Sequence, residues 1–573
     1  MQLKFILRAG RREPLGGGCS RGRGIGRPRF SREMRPVDPA FAKACGGQAE
    51  RRPSIKPIRY GVIVAAVVLA LSSFGATAST AVTDIGSRRE IFVDGFLIDQ
   101  LKGEARLRLH HPEPRETSLV FDAPWEGTGT SGFHCVFKDG NLYRMFYKAW
   151  NIALNQEKKQ IVPSPGATCY AESDDGIHWR KPNLGLIEFR GSKENNLIML
   201  DHMMGKMKLY AGYPSVTKDE NPAAAPDARY KAMYVTANPK GLLPFKSADG
   251  IRWTAMTSAP VITNGAFDSQ NLAFWDATRG EYRAYWRNFA RGDNNTATAN
   301  PTGVRSIRTA TSRDFIHWEN ETDLSYVDSP EEALYTNVIK PYHRAPHIFV
   351  GFPLRYVDRG WTESSEALPE REHRELRRAI NARYGTAITD TVIMASRDGV
   401  TFKRWNEAFL RPGIERPDTW NYGHQALGWH LVETKSALRG APDELSFYAT
   451  ESYWTGNSSE LRRYTLRLDG FVSAEAPARG GELITKPVRF QGAHLYLNFS
   501  TSAAGSLRVE IQDVDGVPQP GFALDDCAHV FGDSIERRVA WEGGRALTTL
   551  AGRPVRLRFV LSDADLFAFQ FKE

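Results

Sequence analysis

Ser173-Asp174-Asp175-Gly176-Ile177-His178-Trp179 is the stretch on which the reading of this chain turns, because the sequence returns to it three more times. Ser247-Ala248-Asp249-Gly250-Ile251-Arg252-Trp253, Ser312-Arg313-Asp314-Phe315-Ile316-His317-Trp318 and Ser396-Arg397-Asp398-Gly399-Val400-Thr401-Phe402, with Trp405 just beyond, keep the serine, the aspartate and the closing aromatic residue. Each copy follows an apolar stretch, so it reads as a strand, a tight Asp-Gly turn and a second strand whose Trp packs between sheets. The copies begin 74, 65 and 84 residues apart, room for one four-stranded antiparallel sheet and a variable loop each time. Sheets repeated radially make a β-propeller. Five blades between residues 79 and 474 are the expectation, with a sixth if the segment before Leu119 forms a full sheet.

Working outward, Phe133 to Lys138 and Leu142 to Lys148 read as the first clear strands, in a blade spanning 118 to 180. A second sheet is expected to begin near Leu186 and to use Asn196 to Asp201, a third begins at Val261, a fourth includes Tyr342 to Phe352, and a fifth ends at Leu461 to Leu468. Arg89 to Asp99 could start the first sheet or complete the last, the closure a ring of blades needs. The charged stretch Glu363 to Arg383, with Leu368, Leu376 and Ile380 at loose helical spacing, predicts a helix inserted in a loop. Ala, Pro and Gly from Ala474 to Gly480 mark a linker, and short strands across 479–573 predict a β-sandwich. The fold class is therefore all-β, a five-bladed propeller followed by a C-terminal sandwich.

The formal charge of +9 sits largely before Tyr60, in runs such as Arg21-Gly22-Arg23-Gly24, so no basic stripe for nucleic acid is expected on the domains. Basic residues, the apolar run 61–74 and Ala76-Thr77-Ala78 make residues 1–78 a signal peptide or membrane anchor, and the protein an exported, periplasmic or extracellular one. Cys19 and Cys45 fall in that leader. Cys135, Cys169 and Cys527 remain, with a Cys135–Cys169 disulfide or buried free thiols as equal alternatives. The aspartates of the repeated phrase, Asp175, Asp249, Asp314 and Asp398, read as turn formers, which leaves His178 and His317 on outer hairpins away from chemistry.

In a propeller, residues at the start of innermost strands converge at one end of the axis although they are distant in sequence. Glu126, Asp268, Asp390 and Asp122 are the candidate catalytic acids, since glycosidic hydrolysis uses two carboxyls about 5–5.5 Å or 6.5–9.5 Å apart. Trp125, Trp275, Trp420 and Tyr422 offer stacking faces, and His134, Asn271, Tyr335, Asn337, Arg344, His347 and His424 are candidate substrate-binding residues. Nothing in the spacing of His134, His347 and His424 requires a metal, and no cofactor is expected. Asp513, Asp515, Asp525 and Asp526 lack a calcium-loop pattern and read as turn acids, although a structural calcium is conceivable there. There is no G-x-S-x-G, Walker or His-Glu-x-x-His sequence.

The repeated hairpins, Phe121-Asp122-Ala123-Pro124-Trp125 near the first inner strand and the appended β domain together resemble the five-bladed propeller glycoside hydrolases, the group of invertases, fructanases, arabinanases and xylosidases, with exported bacterial members nearest. The resemblance implies a carbohydrate substrate and an acidic trio from separate blades. The sequence departs from invertases at their Asn-Asp-Pro-Asn, where Phe121-Asp122-Ala123-Pro124 stands, and at their Arg-Asp-Pro, where Arg344-Ala345-Pro346 lacks the acid. Their Glu-Cys pair is missing. Similar hairpins occur in sialidases, which use a Tyr nucleophile and an arginine cluster. The expected activity is a glycosidase with paired channel carboxylates, and the alternatives are a non-catalytic carbohydrate-binding propeller or a cell-surface protein-interaction module.

Overall fold

The computed structural model describes residues 81–573 except 128, 293 and 295–301. The leader 1–78, with Cys19 and Cys45, lies outside the described residues. Five antiparallel sheets surround a common axis. From the axis outward, blade 1 is Gly132–Asp139, Leu142–Ala149, Ala167–Ser173 and Leu197–Leu200. Blade 2 has Leu209–Tyr210 and Val216–Lys218 on its inner edge, then Tyr230–Ala237, Lys240–Ser247 and Thr254–Ala255. Blade 3 is Leu272–Asp276, Glu281–Ala290, Val304–Ser312 and Trp318–Asp323. Blade 4 is Ile339–Tyr342, Ala345–Gly351, Met394–Ser396 and Thr401–Arg404, with Ser325–Val327 added in parallel outside.

Blade 5 takes Ala426–Leu427 and Val432–Thr434, Glu444–Glu451 and Glu460–Arg467 from one end of the propeller sequence and its outermost strand, Glu113–Val120, from the other. This pairing closes the ring and leaves no bare edge where the chain's two ends meet. The sequence placed that closure on Arg89 to Asp99, which in fact joins neither the first nor the last blade. It also placed Asn196 to Asp201 in the second sheet. Leu197–Leu200 is instead the buried outer strand of blade 1, held there by Asn196, whose Nδ2 donates to the Tyr147 hydroxyl and the Tyr170 carbonyl, both at 2.7 Å.

The repeated phrase is the turn between the third and outermost strands. In each copy the serine Oγ accepts from the backbone N–H three residues on at 2.9 Å, as from Gly176, Gly250, Phe315 and Gly399. The aspartate Oδ1 accepts from the next two backbone N–H groups but one, as Asp175 does from Ile177 and His178 at 2.8 Å. That geometry needs a left-handed residue after the aspartate: φ is 74°, 79° and 78° at the three glycines. Phe315 adopts 71° in the same place, held by the burial of its ring. Turns dock on the preceding blade: the Tyr448 hydroxyl donates to the Gly176 carbonyl, Tyr285 to that of Gly399 at 2.9 Å, and Arg144 to that of Asp249 at 2.7 Å. Thus the phrase that sets each turn also stitches neighbouring blades together.

Beyond the propeller, His494–Gln512 and Pro554–Lys572 pair along their length with a register break between Thr501 and Ser506. Phe559 and Phe569, ten residues apart on one strand, have ring centroids only 5.7 Å apart. A straight strand would hold them about 33 Å apart. The pair therefore doubles over on itself, with buried residues alternating along both strands. Thr83–Gly86, Glu90–Ile91, Ile98–Gly103 and Arg106–Leu109 add strands to it from the N-terminal side. Cys135, Cys169 and Cys527 are buried free thiols, so the disulfide alternative falls away.

The charged insertion is helical, in three short pieces: Glu363–Ala367, Arg371–Ile380 and Ala382–Thr386. Its buried face is not the expected Leu376 and Ile380 but Arg374 and Arg377. Arg374 donates to the carbonyls of Pro369 and Trp420, and Arg377 to Asn421 Oδ1 at 2.7 Å, so the helix is pinned against the loop leading into blade 5. With the middle piece anchored, Arg383 and Tyr384 of the third are carried to the end of the axis.

Candidate functional site

At the end of the axis where the innermost strands begin, blades 1, 2, 4 and 5 each present a ring and blade 3 presents an acid. Phe133, Tyr213, Tyr335, Tyr422 and Asp268 line a cup of about 170 Å³. Phe133 lies nearly parallel to Tyr335 with centroids 6.4 Å apart, and Tyr422 meets Tyr335 edge-on at 5.7 Å and Tyr453 at 5.9 Å. Gly423 makes this packing feasible: with φ 79°, a Cβ there would stand 2.4 Å from the Tyr453 ring. Phe133 at φ 37° and Trp454 at φ 57° are non-glycine residues in the left-handed region, strain of a kind that clusters at binding sites. Burial, then proximity to Tyr335, raises the Tyr213 and Tyr422 phenols well above their ordinary value, so both stay protonated hydrogen-bond donors.

The second strands add cations. Lys148 is fully buried, with its ammonium 4.5 Å from the Trp150 ring, 4.7 Å from Phe133, 5.5 Å from Tyr453 and 5.6 Å from Tyr213. Its Nζ donates to the Tyr453 hydroxyl at 3.2 Å, and among the described residues no carboxylate lies within ion-pair distance. Burial pushes Lys148 down to about 7, against the pull of the ring faces towards the charged form. Arg287 donates from Nε to the Ala266 carbonyl at 3.1 Å and pairs with Asp268. Burial lowers Arg287, and the charge of Arg305 acts in the same direction. Arg305 lies 4.2 Å over the Tyr356 ring and 5.6 Å from Tyr335, and its Nε has no hydrogen-bond partner. Arg383 completes the wall.

Asp268 is the only carboxylate among the described residues lining the cup, and its side chain remains 48 % exposed there. Two further candidates hold it up. Asn271 is buried and donates to the Phe267 and Ser269 carbonyls at 3.0 and 2.7 Å, fixing the turn that carries Asp268. Asn337, also buried, donates across to blade 3 at the Gln270 and Tyr285 carbonyls.

The remaining candidates lie elsewhere. Glu126 is fully buried beside blade 1, accepting from Tyr147 at 2.5 Å and Ala123 N at 2.8 Å and pairing with Lys181 at 2.7 Å. Asp122 is exposed on the same lysine, and Trp125 donates to Asn196 Oδ1 at 2.9 Å. Asp390 forms a two-point pair with Arg355 on the hairpin of Leu354–Asp358 and Ala387–Thr391. His134 is wedged in the core against Gly428, its basicity lowered by burial to about 3. His347 meets Glu90 at 3.1 Å, and Arg344 pairs with Asp469 at 2.8 Å at the opposite end of the axis. Trp420 donates to the Gly413 carbonyl, and His424 Nδ1 accepts from Trp420 N beside Glu451. Among the described residues no three His, Cys, Asp or Glu side chains gather as metal ligands. Asp513 Oδ1 accepts from Asp515 N and Val517 N, a turn, as does Asp526 from Ala523 N.

Sequence reasoning missed Lys148, Arg287, Arg305, Arg383, Tyr213 and Tyr453. One signal was available. Arg144 and Lys148, and Arg283 and Arg287, stand four apart in otherwise apolar second strands of blades 1 and 3, hence on one face. Arg144 and Arg283 reach the next blade's turn, so Lys148 and Arg287 extend the same row to the cup.

No family model and no curated protein matches the chain. Among solved structures, an arabinoxylan arabinofuranohydrolase of glycoside hydrolase family 43 from Bacillus subtilis is similar at 11 % identity, over 78 % of this chain and 96 % of that one, with TM-score 0.34. A GH32 β-fructofuranosidase from Bombyx mori aligns at 9 % identity, 80 % and 94 % coverage and TM-score 0.35. An N-acetylgalactosamine deacetylase from F. plautii also aligns, at 13 % identity, 63 % and 94 % coverage and TM-score 0.34.

Proposed function

We propose that this protein is a glycoside hydrolase that takes the end of a saccharide into the axial cup. The observation that carries the reading is the convergence of four aromatic rings and one exposed carboxylate, from five separate blades, at a single point. Ring faces suit the apolar side of a sugar, and protonated phenols suit its hydroxyls. A space of about 170 Å³ is well below the roughly 300–1,000 Å³ of sites for larger ligands, so it fits one terminal unit. Asp268, paired with Arg287 and exposed to the cup, serves as nucleophile or base. Lys148, brought towards neutrality by burial and hydrogen-bonded to Tyr453, is the group suited to hand a proton to the leaving oxygen, since proton transfer works best with a pKa near the working pH. The second carboxylate of the expected pair has no representative among the described lining, and Lys148 takes its place in this reading. The apolar leader supports an exported enzyme.

A carbohydrate-binding propeller without turnover is the second reading, favoured by the pairing of Asp268 with Arg287. Incubating the protein with a broad panel of oligosaccharides and aryl glycosides, with reducing sugar as readout, separates the two. Release by the native protein and its loss in Asp268→Asn support the enzyme. Retention of sugars without release by either protein supports the binder.

A further inference from the structure

Among the described residues lining the cup, basic side chains outnumber acidic ones. Arg287, Arg305 and Lys148 line it, and burial together with the charge of Arg305 lowers Arg287, whereas Asp268 is the single acid among the described lining residues. Like charges held together in a partly dehydrated space repel strongly, so such a cluster is favourable only when an anion joins it. Several cations of the interior have carboxylate partners, as Lys231 has Asp219, Arg397 has Glu90 and Asp94, and Arg463 has Glu116, while Arg374 and Arg377 are held by carbonyl and amide oxygens. Arg305 differs from these. Among the described residues no carboxylate lies within ion-pair distance of it, and its Nε carries an unused donor. Its guanidinium carbon lies 4.2 Å over the Tyr356 ring, a contact that holds the group without neutralising it.

We propose that the sugar unit bound in the cup carries a carboxylate, as a uronic acid does, and that Arg305 receives it. This rests on the saccharide reading above and names its substrate class. A planar carboxylate matches a guanidinium fork with two parallel hydrogen bonds, and the charge-assisted contacts gain strength from the apolar walls. Asp268 on Arg287 stays available to the reacting carbon, because the substrate anion sits on the neighbouring arginine. The aromatic walls then carry the sugar ring, and the arginine sets which sugar is accepted.

The test is a calorimetric titration of the protein with methyl glucuronides and galacturonides of both anomers, with the corresponding neutral glucosides and galactosides, and with methyl galactoside 6-sulfate. The expected result is at least tenfold tighter binding of a uronide than of its neutral counterpart and than of the sulfate. Arg305→Gln is expected to bring uronide and neutral sugar to parity, and Arg305→Lys to keep part of the preference, which separates lost charge from lost folding. Equal binding of uronides and neutral sugars overturns the carboxylate proposal and leaves the saccharide reading standing. Tighter binding of the sulfate overturns the carboxylate in favour of a sulfate ester. Binding of none of these sugars overturns both.

Discussion

The two ends of the propeller axis are built from the same five strands and treat charge in opposite ways. At the far end, where the inner strands finish, Asp469 is fully buried and takes Arg344 and Arg89 at 2.8 Å each while accepting from the Tyr342 hydroxyl at 2.8 Å. His343 meets Glu433 at 2.8 Å beside a cavity of about 570 Å³. Arg344, Arg89 and His343 there are matched by acids, and Asn498 of the C-terminal sheet also donates to Asp469. At the near end, aromatic rings replace the acids, and Lys148 and Arg305 have no carboxylate partners among the described residues. The larger cavity is therefore not the better site.

Four substitutions probe that contrast. Asp268→Asn at the near end is expected to lower kcat/KM by about 10²–10⁴-fold, with a smaller loss of stability than at the far end because Asp268 is 48 % exposed, as steady-state kinetics and calorimetry would show. Asp469→Asn at the far end should do the reverse. Leaving Arg344 and Arg89 without their shared anion costs about 3–5 kcal/mol of stability, measured by denaturant unfolding, while kcat of the remaining folded protein stays constant. An activity loss there as large as that of Asp268→Asn would erase the distinction between the ends. Gly176→Ala forces an L residue to φ 74° and sets its Cβ 3.0 Å from Thr434 and 3.1 Å from the Tyr143 ring. It is expected to cost about 1–3 kcal/mol through the seam of blades 5 and 1, again without a kinetic change.

The last effect concerns pH. Burial depresses Lys148 from 10.5 to about 7 in the folded protein. Between those values the unfolded chain holds a proton that the native one has released, so this group's contribution to stability rises with pH across the window and is flat below it. Lys148→Met removes the slope. The variant should exceed the native protein in stability most at pH 6, with the difference shrinking towards pH 10. A difference independent of pH would mean that the aromatic faces keep Lys148 protonated throughout.

The fold was legible because its signal is local. Ser-x-Asp-Gly specifies a turn through hydrogen bonds spanning four residues, and four copies of one turn count most of the blades directly. Closure was not local: Glu113–Val120 meets Glu460–Arg467 across more than three hundred residues, and nothing in either strand names the other. The site suffers from the same distance. Asp268 could be read because it precedes an apolar inner strand, and Tyr335 and Tyr422 because they do likewise. Glu126 shares that position in sequence but turns aside onto Lys181, a partner 55 residues away. Lys148 looks like an ordinary strand lysine until rings from blades 1, 2 and 5 surround it.

Which end of the axis takes the ligand is the claim on which the rest depends, and hydrogen–deuterium exchange with and without a binding oligosaccharide tests it most directly. Protection is expected in the peptides around 266–272, 382–386 and 450–455, which border the cup, with those around 340–346 and 430–434 unchanged. Protection confined to the latter pair would place the site at the far end and contradict the account.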